Sequence, residues 1–183
     1  MPDVLILHSS IDGHTLTICR RLHSIIEAAG CGVSLLEIGV CGEDALRAAD
    51  LVVIGASIRY GRHRPGVAEF MRRHQALLMG RPNAFFSVNV VARKPAKNQP
   101  DTNPYLRSFL RQIGWRPQWL AVFAGRIDYP RCSYIDRQMI RLIMWMTKGP
   151  TDPHGVFEFT DWRQVEAFGQ NLVKALAAQP EQK

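Results

Sequence analysis

The chain has 183 residues, 46% of them hydrophobic and 21% charged, which is typical of a globular domain large enough to bury a core. It contains no stretch near the ~18 apolar residues of a membrane-spanning helix and opens without the basic segment of a signal peptide, so we expect a cytoplasmic chain. Its cysteines have no CxxC or zinc spacing, and we expect free thiols at Cys19, Cys31, Cys41 and Cys132.

Short β-branched runs and apolar residues at helical spacing alternate along the chain. In chain order the predicted elements are a strand at 4–8, a helix at 18–29, a strand at 33–38, a short helix at 43–49, a strand at 51–56, a helix at 67–78, a strand at 84–88, a helix at 105–113, a strand at 120–124 and a final helix at 161–178. This alternation predicts a parallel sheet with helices on both faces.

Five such strands fit the doubly wound α/β fold of flavodoxin-like domains, with strand order 2-1-3-4-5. Residues 126–155 break the alternation, and a further strand pattern follows at 156–159. We interpret 126–155 as an insertion that interrupts the last strand of a single domain spanning residues 1–183.

The insertion contains a predicted amphipathic helix at 133–147. Ser133 and Asp136 resemble a capping box at its start, and Gly149 with Pro150 ends it. A basic helix with Trp and Met on its apolar face, too short to span, is typical of one lying on a membrane surface. The alternatives are that this face packs onto the domain, onto a second subunit, or lines a substrate or quinone cleft.

The positive charge is concentrated in the middle of the chain. Residues 59–148 contain 17 Lys/Arg and 4 Asp/Glu, a net charge of +13, whereas the remaining residues contain 6 and 12, a net charge of −6. This asymmetry indicates an anionic partner such as a membrane surface, a nucleic acid or an acidic substrate. The basic region lacks interleaved aromatic residues and any nucleic-acid motif, so we expect no nucleic-acid partner.

The loop after the first strand has the composition of a phosphate site. Residues 9–15 combine hydroxyl side chains with one glycine, and backbone N–H groups at the start of a helix bind phosphate without a cation. The loop matches neither GxGxxG nor a Walker motif, which argues against dinucleotides and nucleoside triphosphates. A turn with Ser10 or Thr15 as an ordinary helix cap has the same composition.

Two further loops follow the third and fourth strands, and in an open parallel sheet all three lie at the ligand-binding edge. Tyr60 is placed to cover a flavin ring, Gly61 to admit backbone close to it, and Asn89 to bond its polar edge. The sequence therefore predicts FMN, held by Ser10, Ile11, Asp12, Gly13, His14, Thr15, Ser57, Ile58, Arg59, Tyr60, Gly61, Ser87, Val88, Asn89, Val90 and Val91.

Together with the phosphate loop, the segments 53–61, 86–95, 129–131, 136–140 and 160–162 resemble the menaquinone-dependent protoporphyrinogen IX dehydrogenases, flavodoxin-like bacterial enzymes of haem biosynthesis. The resemblance spans nearly the whole chain. It implies an FMN enzyme that oxidises protoporphyrinogen IX to protoporphyrin IX and passes electrons to menaquinone or another quinone. It also implies a peripheral location on the cytoplasmic side of the inner membrane.

The chemistry of such an enzyme belongs to the flavin, so we assign no catalytic side chain and expect no metal. The propionate groups of the implied substrate suit cationic side chains, and we predict that Arg59, Arg93 and Lys94 bind them. Each is alternatively a solvated surface charge. Of the histidines considered as proton acceptors, we interpret His8 and His74 as structural, which leaves His63 as the one that could face the mouth of the site.

Two other functions fit the same fold. A long-chain flavodoxin is a soluble electron carrier, but such carriers are typically acidic, unlike the basic middle of this chain. The other alternative is a soluble NAD(P)H:quinone reductase.

Overall fold

The computed structural model describes residues 1–178, so residues 179–183 of the predicted domain lie outside it. The strands are β1 (Asp3–Ser9), β2 (Gly32–Glu37), β3 (Leu51–Arg59), β4 (Arg62–His63), β5 (Asn83–Asn89), β6 (Trp119–Ala124), β7 (Arg126–Asp128) and β8 (Val156–Glu158). The helices are α1 (His14–Ala28), α2 (Glu43–Ala48), α3 (Pro65–Arg73), α4 (Gln75–Met79), α5 (Pro104–Ile113), α6 (Tyr134–Met146) and α7 (Trp162–Ala177).

Five parallel strands pair in the order β2-β1-β3-β5-β6, and the short β4 pairs antiparallel with β3. Apart from β4, this is the predicted order 2-1-3-4-5, so the flavodoxin-like fold class is confirmed. The chain runs from β1 outward to β2 and then returns to the other side of β1. The loops after β1 and β3 therefore leave the sheet in opposite directions and open a crevice at its carboxyl edge.

Both faces of the sheet are buried, which explains why its strands are continuous apolar runs. Alternate residues of β1 face opposite sides: Leu5 and Leu7 pack in the cluster that contains α3 and α5, whereas Val4 and Ile6 pack with α1 and α7. Gly55 lies opposite Phe86 across the β3–β5 pair, and a Cβ atom there would stand 2.2 Å from the Phe86 ring. The bulk of that ring is the reason for glycine at this point.

The predicted helix at 67–78 is two helices, α3 and α4, that meet at His74. The His74 amide still donates to the Phe70 carbonyl, and the Leu78 amide to the His74 carbonyl. The apolar face therefore continues through the bend into one core cluster.

The last predicted strand required a correction. Residues 156–158 form a strand, but β8 pairs antiparallel with β7 in a separate two-stranded sheet and does not rejoin the main sheet. The cause is the end of β5: the Gly125 amide donates to the Asn89 carbonyl, after which β5 enters a 3₁₀ turn. With no further β5 backbone beside it, β7 takes its hydrogen bonds from β8.

None of the helices described in residues 1–178 combines the length and the apolar character that a bilayer span requires.

Candidate functional site

A cavity of about 730 Å³ lies at the carboxyl edge of the sheet, where the loops after β1, β3, β5 and β6 meet. Every residue predicted to hold a cofactor lines it except Gly13 and Ser87. A smaller cavity of about 420 Å³ lies between α1 and α7, away from this edge, and its wall pairs Arg21 with Glu166. The convergence of the three predicted loops makes the larger cavity the candidate site.

One end of the cavity is built to receive an anion. The hydroxyl oxygens of Ser10 and Thr15 are buried, yet neither has a hydrogen-bond partner within the described residues. Helix α1 begins beside them at His14, so unpaired backbone N–H groups lie at the same end. Leaving a buried polar group unsatisfied costs about 1–3 kcal/mol. A phosphate group, with its several acceptor oxygens, satisfies both hydroxyls and the helix start, so it fits this end of the cavity.

Gly13 shapes this loop without reaching the cavity wall. Its φ of 81° lies in the left-handed region, which side-chain-bearing residues adopt at a cost, and it immediately precedes α1. The structure therefore shows Gly13 setting the backbone path into α1, and its contact with a ligand stays a prediction.

His14 is tied to the domain and is not a cation of this site. The Thr160 hydroxyl donates to the Ala124 carbonyl at 2.8 Å, so its oxygen accepts from Nε2 of His14 at 2.6 Å. Burial lowers the pKa of His14 below its ordinary value of 6.5. The neutral ring therefore links the first turn of α1 to the end of β6 through Thr160, by two successive hydrogen bonds.

A tight turn holds an exposed aromatic ring at the cavity rim. Tyr60 and Gly61, with φ of 51° and 77°, join β3 to β4 in a two-residue turn whose positive dihedrals match the strand twist. The Tyr60 side chain is 56% exposed, with the Arg59 guanidinium 5.5 Å from its ring centre. A side chain at position 61 would approach the Tyr105 ring. The turn thus presents a flat, adaptable surface for stacking.

Asn89 reaches the cavity from a buried polar network. Its side-chain oxygen Oδ1 accepts from the Ala92 amide at 3.0 Å and from Nδ2 of Asn103 at 3.2 Å. Its Nδ2 donates at 3.3 Å to the hydroxyl of Ser87. Ser87 is fully buried and its hydroxyl lies 3.0 Å from Nε2 of His63. Ser87 therefore lies behind the cavity wall, where it holds Asn89, and direct binding of a cofactor by Ser87 stays a prediction.

His63 lies in this network, off the cavity wall, against the rings of Phe85 and Phe109. Its burial lowers its pKa from 6.5 to about 3. At a pH between these two pKa values, His63 is protonated in the unfolded chain but not in the folded one. The contribution of His63 to stability is therefore fully present above pH 6.5 and is lost progressively as the pH falls toward 3.

Replacing His63 by glutamine is expected to flatten the pH dependence of unfolding in this interval. The slope of the unfolding free energy should differ from wild type by up to about 1.4 kcal/mol per pH unit. Urea unfolding of the flavin-free protein at several pH values between about 6.5 and 4 measures it. A His154→Gln control, at an exposed position, should follow wild type, and parallel curves for His63→Gln would contradict the assignment.

The cations predicted to bind substrate are largely committed to α6. Arg59 lines the cavity but forms an ion pair with Asp136 in the first turn of that helix. Arg93 lies off the cavity wall and donates to the Thr147 hydroxyl at 2.8 Å and to its carbonyl at 3.2 Å, at the other end of α6. Lys94 is also absent from the cavity wall. The structure thus places Arg59 on the cavity wall and Arg93 and Lys94 off it, and substrate binding by these residues stays a prediction.

The 126–155 segment folds back and closes one side of the cavity. Helix α6 begins as predicted, with the Ser133 hydroxyl accepting from the Asp136 amide at 3.2 Å. Sequence reasoning did not assign most of this wall, nor Tyr105, because apolar periodicity does not show where a segment packs. The added wall residues are Tyr105, Gly125, Arg126, Ile127, Asp128, Arg131, Cys132, Asp136, Met139, Ile140, Ile143 and Met144.

No group of three or more metal-ligating side chains comes together within residues 1–178.

The fold and this site define a class of protein. The model of the flavodoxin domain family matches residues 5–154. An archaeal flavodoxin superposes with a TM-score of 0.55 at 13% identity, over 96% of this chain and 99% of its own. Flavodoxin 1 of Bacillus cereus gives 0.55 at 14% identity, over 94% and 97%. These structures share the fold.

The curated relatives narrow the class. A protein named protoporphyrinogen IX dehydrogenase [quinone] from Escherichia coli K12 is 44% identical over 168 residues, covering 92% of this chain and 93% of its own. One of the same name from Leishmania major is 38% identical over 180 residues, covering 98% and 78%. The chain is therefore a flavodoxin-domain protein that belongs to the quinone-dependent protoporphyrinogen IX dehydrogenase family, which confirms the resemblance found in the sequence.

Proposed function

We propose that this protein binds FMN and oxidises protoporphyrinogen IX to protoporphyrin IX in haem biosynthesis, with a membrane quinone such as menaquinone as electron acceptor. The names of the relatives support the reaction. The observation on this chain that carries the proposal is the cavity at the sheet edge, with two unpartnered hydroxyls at its polar end. FMN, when bound, supplies the redox chemistry by accepting a hydride and releasing electrons.

Residues in different parts of the cavity bind different groups. Ser10, Thr15 and the start of α1 hold the phosphate, and Asn89 with the neighbouring backbone bonds the polar edge of the ring. Tyr60 stacks on the ring. The wall that α6 contributes is apolar and suits two hydrophobic partners, the substrate and the quinone, that bind in turn. Its apolar residues are Met139, Ile140, Ile143 and Met144. In this proposal, 126–155 is an insertion in a single flavodoxin-like domain.

We also propose that α6 rests on the membrane surface, on the cytoplasmic side of the inner membrane, where a lipid-dissolved quinone is reached. The helix divides its apolar residues between two directions. Ile140 and Met144 pack inward, whereas Tyr134, Ile135, Leu142, Trp145 and Met146 are 56–74% exposed. An exposed apolar group of this size marks an interaction surface, and the adjacent basic residues suit anionic lipid.

A direct assay tests the reaction. Anaerobic mixing of the FMN-loaded protein, protoporphyrinogen IX and a menaquinone analogue is expected to produce porphyrin fluorescence that depends on both protein and quinone. Omitting the quinone should stop product formation after the bound flavin is reduced. Rapid NADPH oxidation without porphyrin formation would instead support the NAD(P)H:quinone reductase. Flavin reduction with neither activity would support an electron carrier.

A further inference from the structure

Three arginine side chains line the cavity, and two of them have a carboxylate partner. Arg59 pairs with Asp136, and Arg126 pairs with Asp128 at 3.4 Å. Arg131 is exposed at the cavity rim, and its guanidinium makes no hydrogen bond or ion pair to any residue in the range 1–178. It is therefore the cavity arginine whose charge the described part of the protein leaves uncompensated.

The backbone that carries Arg131 is fixed on both sides. Arg131 ends a 3₁₀ turn that begins at Tyr129, whose side chain is fully buried and whose hydroxyl donates to the Pro150 carbonyl at 2.7 Å. The Cys132 amide donates back to the Tyr129 carbonyl at 3.1 Å, and Ser133 caps α6 directly afterwards. Arg131 thus stands on an anchored turn, so its backbone needs little ordering when its side chain binds a ligand.

The charge of the surrounding wall limits what Arg131 can bind. The wall carries the carboxylates of Asp12, Asp128 and Asp136, and no ion pair joins any of them to Arg131. The phosphate end is formed by Ser10 and Thr15 at the start of α1, whereas Arg131 belongs to the segment that forms the apolar wall. An unpaired guanidinium beside an apolar wall suits a flat apolar ligand that carries a carboxylate.

We propose that Arg131 is a specificity-determining residue that binds a propionate carboxylate of the tetrapyrrole substrate. This inference rests on the proposed function. It assigns to Arg131 the role that the sequence predicted for Arg93 and Lys94. Arg59 is less suited because a carboxylate arriving there must displace Asp136.

The test compares the dicarboxylate substrate with its dimethyl ester, which removes the charge and keeps the ring. For Arg131→Gln, KM for the dicarboxylate is expected to rise about 10- to 100-fold, with kcat, the quinone KM and FMN content unchanged. Wild type and variant should treat the diester alike, and Arg131→Lys should recover part of the loss. Arg111→Gln, at an exposed arginine away from the cavity, is the matched control.

Equilibrium binding separates this proposal from the reaction itself. Titrations in which protoporphyrin IX or its dimethyl ester quenches the protein fluorescence measure binding and do not require turnover. Wild type should prefer the diacid, and Arg131→Gln should lose that preference. Equal losses for acid and ester, or an unchanged preference, would overturn the role of Arg131 even if wild type is active. If wild type preferred the diacid and Arg131→Gln lost that preference, but wild type showed no turnover, the proposed reaction would be overturned and the carboxylate site would stand.

Discussion

Replacing Ser10 and Thr15 together by alanine is expected to weaken FMN binding by at least about 100-fold, because each hydroxyl donates to a charged phosphate and such bonds contribute about 1.5–3 kcal/mol. Both hydroxyls are buried and have no other partner in residues 1–178, so their donors are available for the ligand. Titration of the flavin-free protein with FMN, followed by flavin fluorescence, measures the dissociation constant.

For the same variant we expect no loss of stability in the flavin-free protein, in contrast to the loss of FMN affinity. Because the hydroxyls are unsatisfied without ligand, their removal should leave the flavin-free protein as stable as wild type or more so. The matched control is Thr17→Ala with Ser24→Ala, which removes two exposed hydroxyls of α1 that bond to backbone carbonyls. It should leave FMN affinity within about twofold. Unchanged affinity in the Ser10 and Thr15 variant would place the phosphate elsewhere.

Replacing Leu142 and Trp145 together by glutamate is expected to reduce binding to anionic vesicles by about 100-fold or more. Burying an apolar side chain of this size contributes about 1.5–3 kcal/mol, and each glutamate adds repulsion from the lipid charge. The two side chains are 56% and 73% exposed, so the change leaves the domain core intact. Flotation with vesicles of phosphatidylcholine and phosphatidylglycerol measures the bound fraction, and FMN content should be unchanged.

Controls distinguish the membrane from other occupants of this face. Val40→Glu with Met79→Glu changes two apolar residues that are 72% and 55% exposed but lie outside α6. That variant should bind vesicles like wild type. Position 140 is unsuitable for the test, because Ile140 lines the cavity. If the α6 variant kept its vesicle binding and instead lost a dimer in solution, the helix face would be a contact between two copies.

The sequence alone predicted most of the elements, the strand order and the edge of the sheet at which the cavity lies. Apolar periodicity is a local property, so Val4–His8 and Leu51–Ala56 are readable as strands without knowledge of their neighbours. Parallel strands joined by helices leave few topologies, and their carboxyl ends necessarily share one edge. For this reason the sequence predicts that the loops at 10–15, 57–61 and 88–91 meet, and the structure brings them to one cavity.

The tertiary structure decided which side chains face the cavity and which partners they take. Arg59 and Arg93 reach Asp136 and Thr147 across 77 and 54 residues, and no local pattern specifies such pairs because long side chains follow the packing of distant segments. The pairing of β8 with β7 likewise depended on where β5 ends. Ser87 lies behind the cavity wall and Arg131 lies on it for the same reason: the residue types of a loop are a property of the sequence, whereas the direction in which each side chain points is set by the whole fold.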